Sequence, residues 1–170
     1  APPSNTAPDN SNQGNIDFKA LRWGVDSLYL SYPGELSSDQ ELRLKELKKA
    51  AQSNDPALVG KAQLAIAGHV FEVKEKGASL FPYTLEDGAF RIQLSRPGGK
   101  APMAYVKVSA HYLAHVGAIK AEQHLHALLS ELGEIKEAAN VSRIDLFVDF
   151  QSNVDMESWG RHAWVTRASG

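Results

Sequence analysis

The stretch VSRIDLFVDF, Val141 to Phe150, decides how this chain is read. Along a β-strand successive side chains point to opposite faces. Ile144, Leu146, Val148 and Phe150 then share one face, and Arg143, Asp145, Phe147 and Asp149 share the other. The first set reads as a core face. The second raises the question of what an Arg and two Asp do on the back of such a strand.

Two upstream stretches follow the same scheme. In AFRIQLS (89–95), Phe90, Ile92 and Leu94 alternate with Arg91, Gln93 and Ser95. In MAYVKVS (103–109), Ala104, Val106 and Val108 alternate with Tyr105, Lys107 and Ser109. If these strands share a sheet, Arg91, Gln93, Tyr105, Lys107, Arg143, Asp145 and Asp149 lie on one open face.

The remaining segments fit around that sheet. RWGVDSLYLSY (22–32) is apolar on both faces and reads as a central strand ended by Pro33-Gly34-Glu35. Ser38 and Glu41 have the spacing of a capping box, which predicts a helix over DQELRLKELKKAAQ with a stripe of Leu44, Leu47 and Ala51. Residues 57–67 are ambiguous. HVFEVKEK alternates, with His69, Phe71 and Val73 on one side, and Glu86-Asp87-Gly88 marks a hairpin turn before AFRIQLS. AHYLAHV reads as a short helix ending at Gly117. AIKAEQHLHALLSEL places Leu125, Leu128, Leu129 and Leu132 at helical spacing, with Gly133 as its stop. The expected fold is α+β, an antiparallel β-sheet with helices packed on one face.

Composition bounds the function. The chain has 170 residues, 43% apolar and 22% charged, as in an ordinary globular domain. With no cysteine, disulfides, thiolate zinc sites and cysteine nucleophiles are excluded. A net charge of -2 means that any nucleic-acid binding needs a local basic patch. No apolar run approaches the length of a membrane span, about 20 residues. Residues 1–17, rich in Pro, Asn and Ser, read as a disordered tail. The start at Ala1 without a methionine, and the ending WVTRASG, read as a fragment.

The open face admits two readings. An antiparallel sheet commonly leaves one face to solvent. Alternatively, Arg91, Lys107 and Arg143 contact backbone phosphates and Tyr105 stacks on a base. Asp145 and Asp149 are four residues apart, about 13 Å along a strand, too far to grip one ion without a bulge. Arg143 and Asp145, about 7 Å apart, reach each other.

Other candidates are weaker. His124-Leu125-His126 has the His–hydrophobic–His form of metal-dependent nicking enzymes, but positions i and i+2 of a helix point apart. His111 and His115 have zinc spacing, but Tyr112 stands where the metalloprotease motif needs Glu. Trp159, His162 and Trp164 read as packing residues. RPGGKAP is not a P-loop, and no G-x-S-x-G elbow is present.

VSRIDLFVDF resembles the R-x-D-x-x-x-D segment of plasmid and phage replication initiation factors, the Rep proteins of rolling-circle replication. RWGVDSLYLSY, FRIQLS and the helix before VSRIDLFVDF resemble the start of such proteins in the same order, so the resemblance spans roughly residues 18–167. It implies an initiator acting in the cytoplasm, which binds origin DNA, single-stranded or hairpin, and nicks one strand through a tyrosine nucleophile. It implies a divalent metal, Mg or Mn, with Asp145 as metal ligand and Asp145 and Asp149 as the catalytic acids. Arg143 would hold Asp145 or contact DNA, alongside Arg91, Lys107 and Tyr105. The nucleophile of that family lies downstream of the motif. Tyr29, Tyr32, Tyr83, Tyr105 and Tyr112 all precede it. The chain is therefore expected to be the amino-terminal part of an initiator domain lacking its nucleophile. A non-enzymatic DNA-binding or regulatory protein using the same face is the alternative.

Overall fold

The computed structural model describes residues 18–155, 158 and 160. The expected tail at 1–17, the helix start after Asp155 and the packing roles of Trp159, His162 and Trp164 lie outside the described residues.

The fold is α+β. Its elements run β1 (Phe18–Tyr32), β2 (Gly34–Leu36), α1 (Ser38–Ala51), α2 (Pro56–Val59), β3 (Gln63–Ile66), β4 (His69–Val73), β5 (Tyr83–Glu86), β6 (Phe90–Leu94), β7 (Ala104–Val108), α3 (Ala110–Val116), α4 (Ala118–Leu132), β8 (Gly133–Ile135) and β9 (Asn140–Ser152). Seven strands form a sheet in the order β3-β4-β5-β6-β7-β1-β9, and β2 pairs with β8 apart from it. The chain divides into two compact units. One is Gly24–Phe147; the other joins the first part of β1 to residues from Val148 onward.

In the larger unit, the alternation read from the sequence sets the core. Phe90, Ile92 and Leu94 of β6 and Ala104, Val106 and Val108 of β7 are all buried, as are Leu28, Leu30 and Tyr32 of β1. The helices cover this face with Leu44 of α1, Leu113 of α3, and Ala121, Leu125, Leu128, Leu129 and Leu132 of α4. Burying each such leucine stabilises the fold by about 1.5–3 kcal/mol.

Local chemistry sets the ends. The α1 cap is Ser37, not Ser38: its hydroxyl accepts from the Gln40 backbone N–H at 3.3 Å. Glu41 is turned elsewhere, accepting from the Tyr83 hydroxyl at 3.1 Å and pairing with Lys45 at 3.0 Å. The β3–β4 hairpin turns on Ala67 and Gly68, both at positive φ, as a two-residue turn of primed type requires. At the β5–β6 turn the Asp87 carboxylate accepts from the Ala89 and Phe90 backbone at 2.8 and 2.7 Å and meets His69 Nδ1 at 2.6 Å. Gly133 is more than a helix stop. Its backbone is extended, and a Cβ there would strike the Glu35 carbonyl, so the close approach of β2 to β8 requires glycine.

β9 corrects one expectation. Its face of Ile144, Leu146, Val148 and Phe150 is not a buried core face: these residues are 49%, 74%, 54% and 42% exposed. β9 is the last strand of the sheet, and the helical residues of the core cluster pack on the strands before it. β1 is paired on both sides, as read, yet Leu21 and Trp23 are exposed at its start.

Candidate nucleic-acid interface

The face opposite the helices is built by register. Arg91 of β6 stands opposite Lys107 of β7, which stands opposite Tyr29 of β1. One step along, Gln93 stands opposite Tyr105, which stands opposite Ser31. These side chains alternate with buried core residues and therefore all point away from the helices.

Arg143 of β9 completes the row. Its guanidinium lies 5.5 Å from the centre of the Tyr29 ring, and the Lys107 ammonium lies 5.7 Å from the same ring. One tyrosine thus carries two cations, both within the range of cation–π attraction. Tyr29 also meets Tyr105 at 6.1 Å between ring centres, and Tyr105 meets Phe81 at 6.2 Å. The result is an aromatic row, Tyr29–Tyr105–Phe81, beside a basic row, Arg91–Lys107–Arg143. Beyond Phe81 a groove of about 590 Å³ is lined by Leu80, Phe81, Arg96 and Lys100 among others.

The row changes sign toward its far edge. Arg91 faces Glu86, and Glu86 faces Glu72. Lys74 offsets these acids, at 2.6 Å from Glu72 and 3.6 Å from Glu86. The cations of β6, β7 and β9 are thus the basic end of the face.

The two aspartates have separate partners. Arg143 grips Asp145 as a fork: Nη2 donates to Oδ2 at 2.6 Å, and Nε donates to Oδ1 at 3.1 Å. These bonds hold the Asp145 carboxyl below the usual carboxylate range, and the Ser27 hydroxyl adds to the effect. The same pairing raises the pKa of Arg143. Asp149 lies in the smaller unit, where it accepts from Arg22 Nε at 2.6 Å.

Gly24 of β1 leaves room for Phe147 of β9: a Cβ there would meet the Phe147 ring at 3.1 Å. Tyr29, five residues on, meets Arg143 of β9.

The residues named from sequence for DNA contact, Arg91, Lys107, Tyr105 and Arg143, come together on this face. Tyr29, Phe81, Arg96 and Lys100 join them without having been singled out. Tyr29 was legible, since it alternates with Leu28 and Leu30. Phe81 was not, because it lies outside any strand.

A divalent metal fits these donors poorly. Both Asp145 oxygens are taken by Arg143. Among the described residues no group of three or more His, Asp or Glu side chains is gathered as a metal would need. His124 and His126 straddle the leucine stripe of α4: His124 Nδ1 sits 2.6 Å from the Tyr112 hydroxyl, and His126 packs edge-on to Tyr32. His111 and His115 are exposed on α3.

The fold and site define an α+β protein whose antiparallel sheet leaves a basic, aromatic face uncovered. Comparison with protein-family models, with curated proteins and with solved structures finds no match. Among the described residues no helix is long and apolar enough to cross a membrane.

Proposed function

We propose that this chain serves in a rolling-circle replication initiator of a plasmid or phage, acting on DNA in the cytoplasm, and that the open sheet face is where it meets the DNA. One observation supports this above the others: three cations, Arg91, Lys107 and Arg143, stand beside Tyr29 and Tyr105 on a single exposed face. Cations that track a phosphate backbone beside rings that accept bases are what single-stranded or hairpin DNA needs. Arg91 and Lys107 take phosphates. Tyr29 and Tyr105 take bases. Arg143 and Asp145 of the R-x-D-x-x-x-D segment form one border of the face. Strand cleavage itself calls for a nucleophile and metal ligands beyond Asp145.

A second reading, a DNA-binding or regulatory protein without nicking activity, draws on the Arg143–Asp145 fork. A carboxylate already paired with a guanidinium at 2.6 Å would have to share its oxygens to hold a metal as well.

Titration of a labelled hairpin oligonucleotide at rising salt tests both. Affinity that falls with salt supports a DNA face; no binding in about 50 mM salt, where such contacts are strong, overturns it. Adding Mg or Mn separates the two readings. Metal-dependent strand cleavage that is lost in Asp145→Ala favours the initiator. Cleavage that survives Asp145→Ala removes Asp145 from the metal role.

A further inference from the structure

The groove beyond Phe81 lies between two loops at one end of β5, β6 and β7. Leu80, Phe81 and Pro82 come from the loop before β5; Arg96, Lys100 and Pro102 come from the loop between β6 and β7. Its volume, about 590 Å³, falls within the range of small-ligand sites, about 300–1,000 Å³.

Both walls are built in advance. Ala78 and Phe81 exchange backbone hydrogen bonds at 2.9 and 3.1 Å, which closes the first loop around Ser79 and Leu80. A Cβ on Gly77 would strike the Phe81 and Pro82 carbonyls, so that close approach requires glycine. The Lys48 ammonium of α1 donates to the Pro82 carbonyl at 2.8 Å and ties this wall to the helical layer. In the second loop the Gly98 N–H donates to the Glu35 carboxylate at 2.9 Å. Leu80, at the tip of its loop, is nonetheless 66% exposed. A ligand entering such a groove has little loop ordering left to drive.

The groove continues the open face in chemistry as well as in space. Among the described residues its lining carries two cations, Arg96 and Lys100, and no acid. Arg96 also meets the Tyr83 hydroxyl, which uses part of its donor set. Phe81 is the last ring of the aromatic row, whose centres are spaced 6.1 Å from Tyr29 to Tyr105 and 6.2 Å from Tyr105 to Phe81. Stacked bases of a duplex follow each other at about 3.4 Å. Rings at nearly twice that spacing cannot each take the next base of a duplex, whose faces are already covered by their neighbours. They can take the bases of a strand drawn out of its stack.

We propose that the groove holds one unpaired nucleotide of a single DNA strand, its base against Phe81 and Leu80 and its phosphate on Lys100 and Arg96. This deepens the reading of the open face as a DNA surface and rests on it. The strand runs from Arg143 and Tyr29 across Tyr105 into the groove, and the face selects single-stranded over double-stranded DNA. A peptide of a partner protein is the competing occupant. It would account for the apolar walls but not for their continuity with a row of rings and cations.

Fluorescence anisotropy of the full 170-residue chain with a short labelled oligothymidylate, and with a blunt duplex of the same length, tests this. The single strand should bind at least about ten-fold tighter than the duplex, since each stacked base adds about 5- to 150-fold. Phe81→Ala should weaken the single strand by about 5- to 150-fold and leave its salt slope unchanged, because a ring carries no charge. Lys100→Ala, at an exposed site, should instead reduce that slope by about 0.7. If Phe81→Ala loosens the fold by circular dichroism, Phe81→Leu keeps the bulk without the ring and should weaken binding by a smaller factor. Single-strand binding that responds to Arg91→Ala/Lys107→Ala but is equal in the parent, Phe81→Ala and Lys100→Ala overturns the groove proposal, leaves the groove to a peptide and keeps the DNA face. Equal affinity for strand and duplex overturns it too. Binding of neither probe at about 50 mM salt overturns the reading of the face itself, and the groove proposal with it.

Discussion

Removing two cations from the open face should change how DNA binding responds to salt, by an amount the register allows one to calculate. Arg91 and Lys107 are cross-strand partners and both are exposed, so Arg91→Ala/Lys107→Ala leaves the core untouched. Each phosphate neutralised on single-stranded DNA contributes about 0.7 to the slope of log affinity against log salt. With Arg91, Lys107 and Arg143 all engaged the slope is about -2.1, and raising salt from about 50 to about 200 mM weakens binding about 18-fold. The double variant keeps one cation and loses only about 3-fold over the same range. If Arg143 stays in its fork with Asp145, the two losses become about 7-fold and about none. Fluorescence anisotropy of a labelled hairpin across a series of salt concentrations measures the slope. The thermal midpoint should stay put, since exposed substitutions of this kind change stability by about 0.5 kcal/mol or less. A slope identical in the two proteins would show that DNA, if bound, is bound elsewhere.

Further outcomes concern the scaffold. Gly133→Ala should destabilise by about 1–3 kcal/mol, because its Cβ would meet the Glu35 carbonyl and the Leu36 Cα; Gly88→Ala, with open space around it, should be neutral or slightly stabilising in the same urea titration. Leu125→Ala, at a fully buried position of α4, should cost about 2–5 kcal/mol, whereas Ile119→Ala on the same helix should cost about 0.5 kcal/mol or less; equal costs would mean that α4 packs on another face. The lowered pKa of Asp145 means the native state holds its carboxylate more readily than the unfolded chain does. The stability this adds is complete above the unfolded value, about pH 3.9, and fades as pH falls through the lower folded value. Asp145→Asn should therefore differ from the parent near neutrality and converge with it in acid, and a gap in denaturation midpoint that is constant with pH would remove the fork as its cause.

Much of this architecture was legible residue by residue. The alternation in AFRIQLS and MAYVKVS predicted both the buried and the open face, and the leucine spacing of α4 predicted its stripe. Such patterns are local: a strand repeats every two residues and a helix every 3.6, whatever lies around them. The α1 cap was displaced by one residue because Ser37 and Ser38 both suit a cap. Tertiary contacts then drew Glu41 to Tyr83. The β3–β4 turn was hidden because Ala67-Gly68 is a less common solution than Asn-Gly for a turn needing two positive φ values.

The candidate site was half legible. Arg91, Lys107 and Tyr105 could be assigned a common face from period alone. Their nearness to Tyr29, Phe81 and Arg143 depended on strand order, since β1, first in the chain, lies between β7 and β9. No local pattern encodes which strand sits beside which.

By itself, the sequence VSRIDLFVDF determined that β9 is two-faced, with apolar side chains on one side and Arg143, Asp145 and Asp149 on the other. Only the tertiary structure decided what each face meets. Polarity is a property of the residue, but burial requires another element to lie over it, and the buried helical residues cover the strands before β9 instead. The same holds for the charges. The spacing allowed Arg143 to reach Asp145. It took the placement of β1 to set Tyr29 beside Arg143 and to give Asp149 a different partner, Arg22.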